Sequence, residues 1–334
     1  MSLILSATER SGNGYRKYSG EEERRRFFSL NLGNGRVVFF IFFSARKENK
    51  NRGGQVGTYR RKPYDGKNTQ APEGIMTSSA LSNVPESGGA PPHCQVCLSS
   101  VFSAYGEKNG CSIVQCASCD YIFCHPRPAQ KQLDEMYRGG NEEDAVDEHF
   151  FPKASSRRRR AFFNALKLRR YIRGRRTLDL GCGGGFFADA ARIMGGDSHG
   201  LDVNRHAIAY ARRRFPKCQF HLGSFDSFKG KIGNFDFVYS SEVIEHVNDV
   251  EDYMNFLSSL MRPDGVVFMT TPDIEWEGGS RNPLEWDIFS PPIHIQFFSE
   301  KTLSQLFRRY GFVPLRRVPD RGAGLKMLFR KDML

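Results

Sequence analysis

The chain has 334 residues, of which 39% are hydrophobic and 13% aromatic, so it can build cores for about two domains and is not disordered throughout. Its longest apolar run, residues 37–43, is far shorter than the roughly 18 residues that a transmembrane helix needs. Residues 1–75 carry 15 Lys/Arg and 7 Asp/Glu whereas the rest is nearly balanced, so the net charge of +12 does not indicate a strongly basic binding surface.

Composition divides the chain into four parts. Residues 1–90 are rich in Gly, Asn, Ser and Arg without a sustained hydrophobic period, which predicts a disordered extension, and Met76 is an alternative start of translation. Residues 91–130 form a compact cysteine-containing segment, and 131–156 are a polar linker. From 157 to 334 short apolar runs alternate with helical patterns, which predicts an α/β domain with a doubly wound, mostly parallel sheet.

The α/β part begins with a predicted helix over Arg157–Ile172, which Gly174 ends. Five strands should then alternate with three helices, before a last helix with Ser299 as its N-cap and two final strands. The strands are predicted at Thr177–Leu180, His199–Val203, Cys218–Leu222, Phe235–Ser240, Val266–Thr271, Phe312–Val318 and Leu325–Phe329, and the later helices at Phe186–Met194, Ala207–Phe215, Val250–Leu260 and Glu300–Tyr310.

Two C-x-x-C pairs indicate a metal site in a reducing compartment. Cys94 and Cys97 are separated from Cys116 and Cys119 by 18 residues, a spacing typical of zinc ribbons, and four thiolates complete a tetrahedral structural site. A redox pair and unliganded cysteines are less favoured alternatives. We expect a small separate domain, so that loss of zinc leaves the α/β domain folded. The neighbouring residues not favoured as ligands are Cys111, Cys124, His93 and His125.

The most informative motif is Asp179-x-Gly181-x-Gly183-x-Gly185, between a predicted strand and a predicted helix. Glycines let a ligand approach the backbone, and the helix start offers unpaired N–H groups. Asp202 ends the next strand, where it can accept hydrogen bonds from ribose hydroxyls. A dinucleotide site is not favoured, because Phe186 stands where that motif needs a small residue.

Together these residues resemble class I S-adenosylmethionine-dependent methyltransferases of types 11 and 23, over about 157–330. The segments His221–Asp226, Phe235–Val247 and Leu260–Gly265 match further motifs of that family in order. The resemblance implies a Rossmann-like seven-stranded sheet and S-adenosylmethionine as cofactor. It assigns Cys182 as a small filler of the loop, not a nucleophile. The cofactor-binding residues that it implies are Asp179, Gly181, Cys182, Gly183, Asp202, Val203, Ser224, Phe225 and Ser241. Among them, the resemblance implies that Val203, Ser224 and Phe225 contact the adenine ring.

The cysteine segment is also similar to the zinc-binding leader that precedes many methyltransferase domains. The similarity rests on Cys116–Phe123, Pro126–Pro128 and Leu133–Tyr137, with Asp120 in place of the usual glycine. The resemblance therefore supports a zinc ribbon.

Candidates for the chemical step follow the fourth and fifth strands. Helical spacing should place Glu242, Glu245 and His246 on one helix-start surface, which His294 can join. His246 and His294 are candidate general bases. The E-x-x-E-H pattern resembles ubiquinone-pathway O-methyltransferases and small-RNA 2′-O-methyltransferases, in which such residues are associated with a divalent metal. Mg²⁺ or Mn²⁺ is thus an alternative, but metal-free lining of the site is favoured, with purely structural roles as a third interpretation.

The loop between Pro272 and His294 contains both tryptophans, Trp276 and Trp286, and is predicted to be a lid or a substrate wall, with simple packing as the alternative. Arg157–Arg160 is predicted to be a solvated helix face, and the alternatives are a clamp on an anionic substrate or on the cofactor carboxylate, or a contact with RNA phosphate.

The predicted function is transfer of a methyl group from S-adenosylmethionine to an oxygen or carbon of a small molecule. An RNA 2′-O-methyltransferase and a catalytically silent zinc-ribbon binding protein are the alternatives, and nucleic acid as a partner is not favoured. We expect a cytoplasmic protein without a membrane span, with the mitochondrion as the alternative location.

Overall fold

The computed structural model describes residues 93–128, 154–278, 282–320 and 322–333, together with the backbone of three strands nearer the N-terminus. The remainder of the predicted extension over 1–90 lies outside the described residues, as does the predicted linker up to residue 153. The three strands are β1 (Arg24–Leu32), β2 (Gly35–Phe43) and β3 (Ile75–Met76).

β1 and β2 pair as an antiparallel hairpin, from Arg24 opposite Phe43 to Leu32 opposite Gly35. The hairpin belongs to a compact unit of residues 1–70, and residues 71–334 make up the second unit. The disorder predicted over residues 1–90 stays a prediction beside this hairpin. The signal of the hairpin in the sequence is the β-branched and aromatic run at 37–43, residue types that favour strands.

The cysteine segment forms β4 (Phe102–Lys108), β5 (Cys111–Cys116) and β6 (Ile122–Cys124), which pair in antiparallel succession. The α/β part follows with α1 to α6 and β7 to β14. Its helices are α1 (Ala154–Ile172), α2 (Phe186–Ile193), α3 (Arg205–Arg214), α4 (Phe225–Phe228), α5 (Val250–Leu260) and α6 (Glu300–Arg309). Its strands are β7 (Arg176–Leu180), β8 (Asp197–Asp202), β9 (Gln219–Leu222), β10 (Phe235–Ser241), β11 (Met261–Pro272), β12 (Gln296–Phe297), β13 (Phe312–Arg317) and β14 (Gly324–Lys331).

Seven of these strands form one sheet in the order β13-β14-β11-β10-β7-β8-β9. The five strands from β11 to β9 are parallel, whereas β14 runs antiparallel to both of its neighbours. This confirms the predicted seven-stranded, mostly parallel α/β fold. The largest shifts from the predicted boundaries are at β11, which begins at Met261, and at α1, which begins at Ala154 inside the predicted linker.

Local capping explains where the helices near the site begin. The Asn204 side chain accepts a hydrogen bond from the Ala207 N–H at the start of α3, and Asp249 caps α5. Ser299 caps α6, as predicted, by accepting from the N–H of Thr302 at 3.2 Å. These polar residues satisfy N–H groups that a helix cannot pair internally.

The cysteine segment shares a sheet and a core with the α/β part. β12 pairs antiparallel with β6, with Gln296 opposite Phe123 and Phe297 opposite Ile122. Cys94, Phe123, Phe298 and other buried side chains of both parts lie in one apolar cluster. The segment is therefore integrated into the second unit. We did not predict this, because two-residue strands leave no periodic pattern. Among the helices that the structure describes, none is both long and apolar enough to cross a membrane.

Candidate active site

The glycines of the predicted cofactor loop have different roles. Gly181 (φ 76°) lies so close to Val243 that a Cβ at Gly181 would be 2.4 Å from Val243 Cγ2. Gly185 (φ 75°) packs against the Phe220 ring, which a Cβ would also meet. A Cβ at Gly183 (φ 49°) would meet no neighbouring atom within 4 Å. Gly181 and Gly185 therefore allow close packing against Val243 and Phe220. Gly181 is also exposed and Gly183 is half-buried, so a ligand can approach the backbone at these two glycines.

Asp202 lies directly against this loop. Its Oδ2 accepts a hydrogen bond from the Gly183 N–H at 2.7 Å, and its Oδ1 accepts from the Asn204 N–H at 2.8 Å. Burial raises the pKa of the Asp202 carboxyl. The Asp202 carboxylate, at the carboxyl end of β8, is thus fixed beside Gly183, where the sequence predicts ribose binding.

Asp179, near the end of β7, and Cys182, in the loop, are both buried. Burial raises the pKa of Asp179 to about 8, although a hydrogen bond from the Ala188 backbone acts in the opposite direction. Burial also raises the pKa of the Cys182 thiol well above its usual range. A thiol that does not ionise is a poor nucleophile, in agreement with the assignment of Cys182 as a filler.

The raised pKa of Asp179 predicts a pH dependence of stability. The folded protein binds a proton that the unfolded chain has lost, so stability should fall as the pH rises from about 4 to about 8. Asp179→Asn, which keeps an acceptor for the Ala188 N–H, should remove that part of the dependence. Thermal unfolding across pH 4–9 measures it, and identical slopes in the two proteins would contradict the prediction.

The residues predicted to contact adenine lie at the start of α4 and after β8. Ser224 precedes α4, and its carbonyl accepts a hydrogen bond from Ser227 Oγ at 2.7 Å. The Phe225 ring packs on Tyr253 and Phe256, with centroid distances of 5.5 and 5.2 Å. Val203 follows β8 and is half-buried. The adenine roles of Val203, Ser224 and Phe225 remain predictions.

A polar chain lies at the carboxyl ends of β10 and β11. Thr270 Oγ1 donates a hydrogen bond to Glu242 Oε1 at 2.8 Å and lies 2.7 Å from Ser241 Oγ. Glu242 has φ 56°, and a short 3₁₀ turn over Ile244–His246 follows it. The expectation that Glu242, Glu245 and His246 share a helical surface is therefore wrong, because the backbone turns sharply at Glu242 before the 3₁₀ turn.

Glu245 is 0% exposed and incompletely paired. Its Oε2 accepts a hydrogen bond from Thr271 Oγ1 at 3.0 Å. Its Oε1 has no donor among the described residues and lies 4.0 Å from His246 Nε2. Burial raises the pKa of Glu245 strongly, and the Glu242 carboxylate raises it further.

His246 and His294 meet at this carboxylate, with ring centroids 4.7 Å apart. Nδ1 of His246 lies 2.9 Å from the Ile293 carbonyl, and Nδ1 of His294 lies 2.6 Å from the Ile288 carbonyl. Both Nδ1 atoms must donate to these carbonyls, so the neutral form of either ring carries its lone pair on Nε2. Burial lowers the pKa of His246 to about 4.

Ligand atoms of Glu245, His246 and His294 all lie within 4.8 Å of one another. The structure thus joins a residue from the distant loop to the E-x-x-E-H segment, as predicted. Sequence reasoning missed Thr270 and Thr271, whose signal is a pair of hydroxyl residues at the end of an apolar strand.

The four predicted cysteines also converge. Sγ atoms of Cys94 and Cys119 are 3.6 Å apart, those of Cys97 and Cys116 are 3.5 Å apart, and the four lie within 4.8 Å of one another. The hydrogen bond with Cys119 lowers the pKa of Cys94 to about 5 and raises the pKa of Cys119. The residues left outside this group include Cys111 and Cys124, which pack in an apolar cluster, and His93, which lies 3.7 Å from Glu251.

The tryptophans of the long loop pack on each other, with centroids 5.8 Å apart. Trp286 is buried with Phe289 and Phe297. This arrangement agrees with simple packing, and the predicted lid or substrate wall remains a prediction. Arg157–Arg160 lie at exposed positions of α1, as expected for a solvated helix face.

Comparison with known proteins adds to this geometry. A family model described as a methyltransferase domain matches residues 148–316, about half of the chain. The chain belongs to this methyltransferase-domain family. It is similar to a ubiquinone biosynthesis O-methyltransferase of Aromatoleum aromaticum, with 33% identity over 30% of this chain and 45% of that protein. A probable S-adenosylmethionine-dependent methyltransferase of Mycolicibacterium smegmatis is 29% identical over 42% of this chain and 52% of that protein.

The chain spans about half the length of these curated relatives. Among solved structures, an S-adenosylmethionine-dependent methyltransferase from Mesorhizobium loti aligns with a TM-score of 0.43 and 20% identity, over 51% of this chain and 98% of that chain.

Proposed function

We propose that this protein transfers the methyl group of S-adenosylmethionine to a hydroxyl oxygen of a small molecule. The observation that carries the proposal is the Glu245, His246 and His294 cluster beside the glycine loop. Val243 links the two, because it follows Glu242 and packs directly on Gly181. The names of the curated O-methyltransferase relatives support oxygen, rather than carbon, as the acceptor atom.

The cofactor site fits S-adenosylmethionine in its donor set. Gly181 is exposed and Gly183 is half-buried, and the Asp202 carboxylate bonded to Gly183 can accept hydrogen bonds from ribose hydroxyls. When bound, the cofactor supplies a methyl group on a sulfonium that is already reactive, so the protein mainly orients the reactants. Asp179 and Gly181 shape the loop from within.

Replacing Asp202 tests this site. Asp202→Ala should weaken S-adenosylmethionine binding by about 10–150-fold, the effect of losing charged hydrogen bonds worth about 1.5–3 kcal/mol. Calorimetric titration measures the affinity, and Asp197→Ala, at the other end of β8, is the matched control. Unchanged affinity in Asp202→Ala, or binding of NADH in place of S-adenosylmethionine, would contradict the assignment.

The chemical step requires that an acceptor hydroxyl lose its proton while its oxygen bonds to the methyl carbon and the carbon–sulfur bond breaks. Three atoms of the cluster suit a divalent cation: the unpaired Oε1 of buried Glu245 and the Nε2 lone pairs of His246 and His294. The nearby Glu242 carboxylate adds negative charge. A bound Mg²⁺ or Mn²⁺ would lower the pKa of the acceptor hydroxyl.

We therefore include a divalent cation in the proposed site, although the sequence alone favoured a metal-free lining. The reason is Glu245: a buried carboxylate oxygen without a donor costs free energy unless a proton or a cation compensates its charge. In the metal-free alternative, Nε2 of His294 or His246 takes the hydroxyl proton.

The activity is tested with labelled S-adenosylmethionine and matched acceptor pairs. Phenols and catechols are compared with analogues in which hydrogen replaces the hydroxyl group, and the product is identified as a methyl ether by mass spectrometry and NMR. Label on a ring carbon, or in RNA supplied as the competing acceptor, would contradict the proposal.

The four cysteines are proposed to hold one structural zinc ion. Convergence of the four Sγ atoms within 4.8 Å supports this proposal, because it matches the donor set of a closed zinc site. Without a cation, thiolates this close would repel one another, and the Sγ atoms of Cys94 and Cys119 lie only 3.6 Å apart.

A further inference from the structure

We infer that the four-cysteine segment is a positioning element of the candidate active site and fixes the loop that carries His294. Gln296 and Tyr121 are the positioning residues that connect the two. The inference rests on the proposed role of Glu245, His246 and His294, and it gives the segment a function beyond holding zinc.

The Gln296 side chain is the central link and is 1% exposed. Its Nε2 donates a hydrogen bond to the Val247 carbonyl at 2.7 Å, while its Oε1 accepts one from the Tyr121 hydroxyl. Val247 directly follows His246, and Gln296 lies two residues after His294. One amide therefore ties both halves of the histidine cluster to the cysteine segment.

The backbone makes a second link at Ile295. Its carbonyl accepts a hydrogen bond from the Cys124 N–H at 2.9 Å, and its N–H donates to the Glu245 carbonyl, also at 2.9 Å. The residue next to His294 is thus held between β6 of the cysteine segment and the 3₁₀ turn of Glu245. Because β6 pairs with β12, the position of the cysteine segment determines where the residues beside His294 lie.

The tip of the β4–β5 hairpin holds the earlier part of the loop. Lys108 Nζ donates to the Trp286 carbonyl at 2.7 Å, and Asn109 Nδ2 donates to the Pro291 carbonyl at 2.8 Å. These two carbonyls flank Ile288, whose own carbonyl orients the His294 ring. In the described part of the loop, turns with their own backbone hydrogen bonds surround the short 3₁₀ turn over Pro283–Glu285, and the two bonds from the hairpin anchor these turns to the cysteine segment.

The cysteine turns supply the fixed end of these links. The Tyr121 carbonyl accepts a hydrogen bond from the Cys116 N–H at 2.8 Å, and Tyr121 lies two residues after Cys119. Gln95, between Cys94 and Cys97, accepts from the Val250 N–H and donates to Asp249, the cap of α5. The cysteine turns are therefore linked to the chain on both sides of the histidine cluster. Tyr121 makes one link through Gln296, and Gln95 makes the other at the start of α5.

Hydrogen exchange in the full chain tests the inference without an acceptor. Tyr121→Phe keeps the ring stacked on Phe123 but removes the hydroxyl, and Gln296→Met removes both amide hydrogen bonds. In each variant, the amides of residues 288–297 should exchange about tenfold faster, because a buried hydrogen bond that restrains the loop is lost. Exchange in the Gly181–Gly185 loop should not change.

The matched control is Asp120→Asn. Asp120 is adjacent to Tyr121 and contacts Lys301 of α6 across the same boundary, but it is exposed and does not reach the histidine loop. Exchange of 288–297 should therefore equal wild type. Unchanged exchange in both test variants would overturn the inference, as would faster exchange spread evenly over the chain, which indicates general loss of stability.

Mn²⁺ titration is the second readout. Tyr121→Phe and Gln296→Met should each weaken Mn²⁺ binding about tenfold and leave S-adenosylmethionine affinity unchanged. Unchanged Mn²⁺ affinity in variants that exchange faster would overturn the link to the cluster. If wild type itself fails to bind Mn²⁺, the proposed cation is wrong, and the exchange result alone then decides whether the segment positions the loop.

Discussion

Replacement of His294 by Ala is expected to lower kcat for methyl transfer by about 10²–10⁴-fold, with little change in S-adenosylmethionine affinity. His294 Nε2 faces His246 and Glu245, whereas the glycine loop and Asp202 bind the cofactor through separate residues. Single-turnover assays with a phenolic acceptor measure the step directly. His93→Ala is the control, since its side chain is 54% exposed and lies outside the cluster.

Chelation decides which role His294 has. With a cation at Glu245, His246 and His294, EDTA should abolish methyl transfer and Mg²⁺ or Mn²⁺ should restore it, and Glu245→Gln should behave like the chelated enzyme. If His294 acts as a base without a metal, turnover survives EDTA in protein that elemental analysis shows to have kept its structural zinc, and only the histidine substitution is severe. Full activity of His294→Ala would exclude both roles.

Much of the fold followed from local patterns. The predicted helix over Val250–Leu260 has the observed bounds, and Ser299 caps α6 as its place in the sequence indicated. Such features depend on near neighbours, since caps and hydrophobic periods act over one or two turns. The four cysteines converged for a similar reason, because paired spacing restricts the ligands of a tetrahedral site.

The features of the fold and of the site that the sequence did not predict depend mostly on contacts between residues far apart in the chain. Glu242 takes a left-handed backbone conformation at the end of β10, which overturned the expected helical surface. Gln296 and Tyr121 are 175 positions apart, and neither has a neighbouring pattern that marks it as functional. Pairing of β6 with β12 joins three residues to two, too few to show an alternating pattern.

The shared core changes what loss of the proposed zinc should do. The sequence suggested that Cys116→Ser would release zinc and leave the α/β domain folded. In the structure, Cys94 and Cys116 lie in the same apolar cluster as Phe298 of the α/β part. We therefore expect Cys116→Ser to lower the unfolding temperature of the whole second unit.

The expected effect is large because a structural zinc site is worth about 10–16 kcal/mol in small zinc domains, comparable to the roughly 5–15 kcal/mol that keeps a domain folded.

Cys111→Ser is the matched control: Cys111 begins β5, Cys116 ends it, and the Cys111 thiol is outside the four-cysteine cluster. Elemental analysis should find one zinc per chain in wild type and in Cys111→Ser, and none in Cys116→Ser, with thermal unfolding measured beside it. Stoichiometric zinc in a Cys94/Cys116 double variant would refute the site. An unchanged unfolding temperature after zinc loss would instead show that the α/β part is stable without the metal, despite the apolar core and the β6–β12 pairing that join the two.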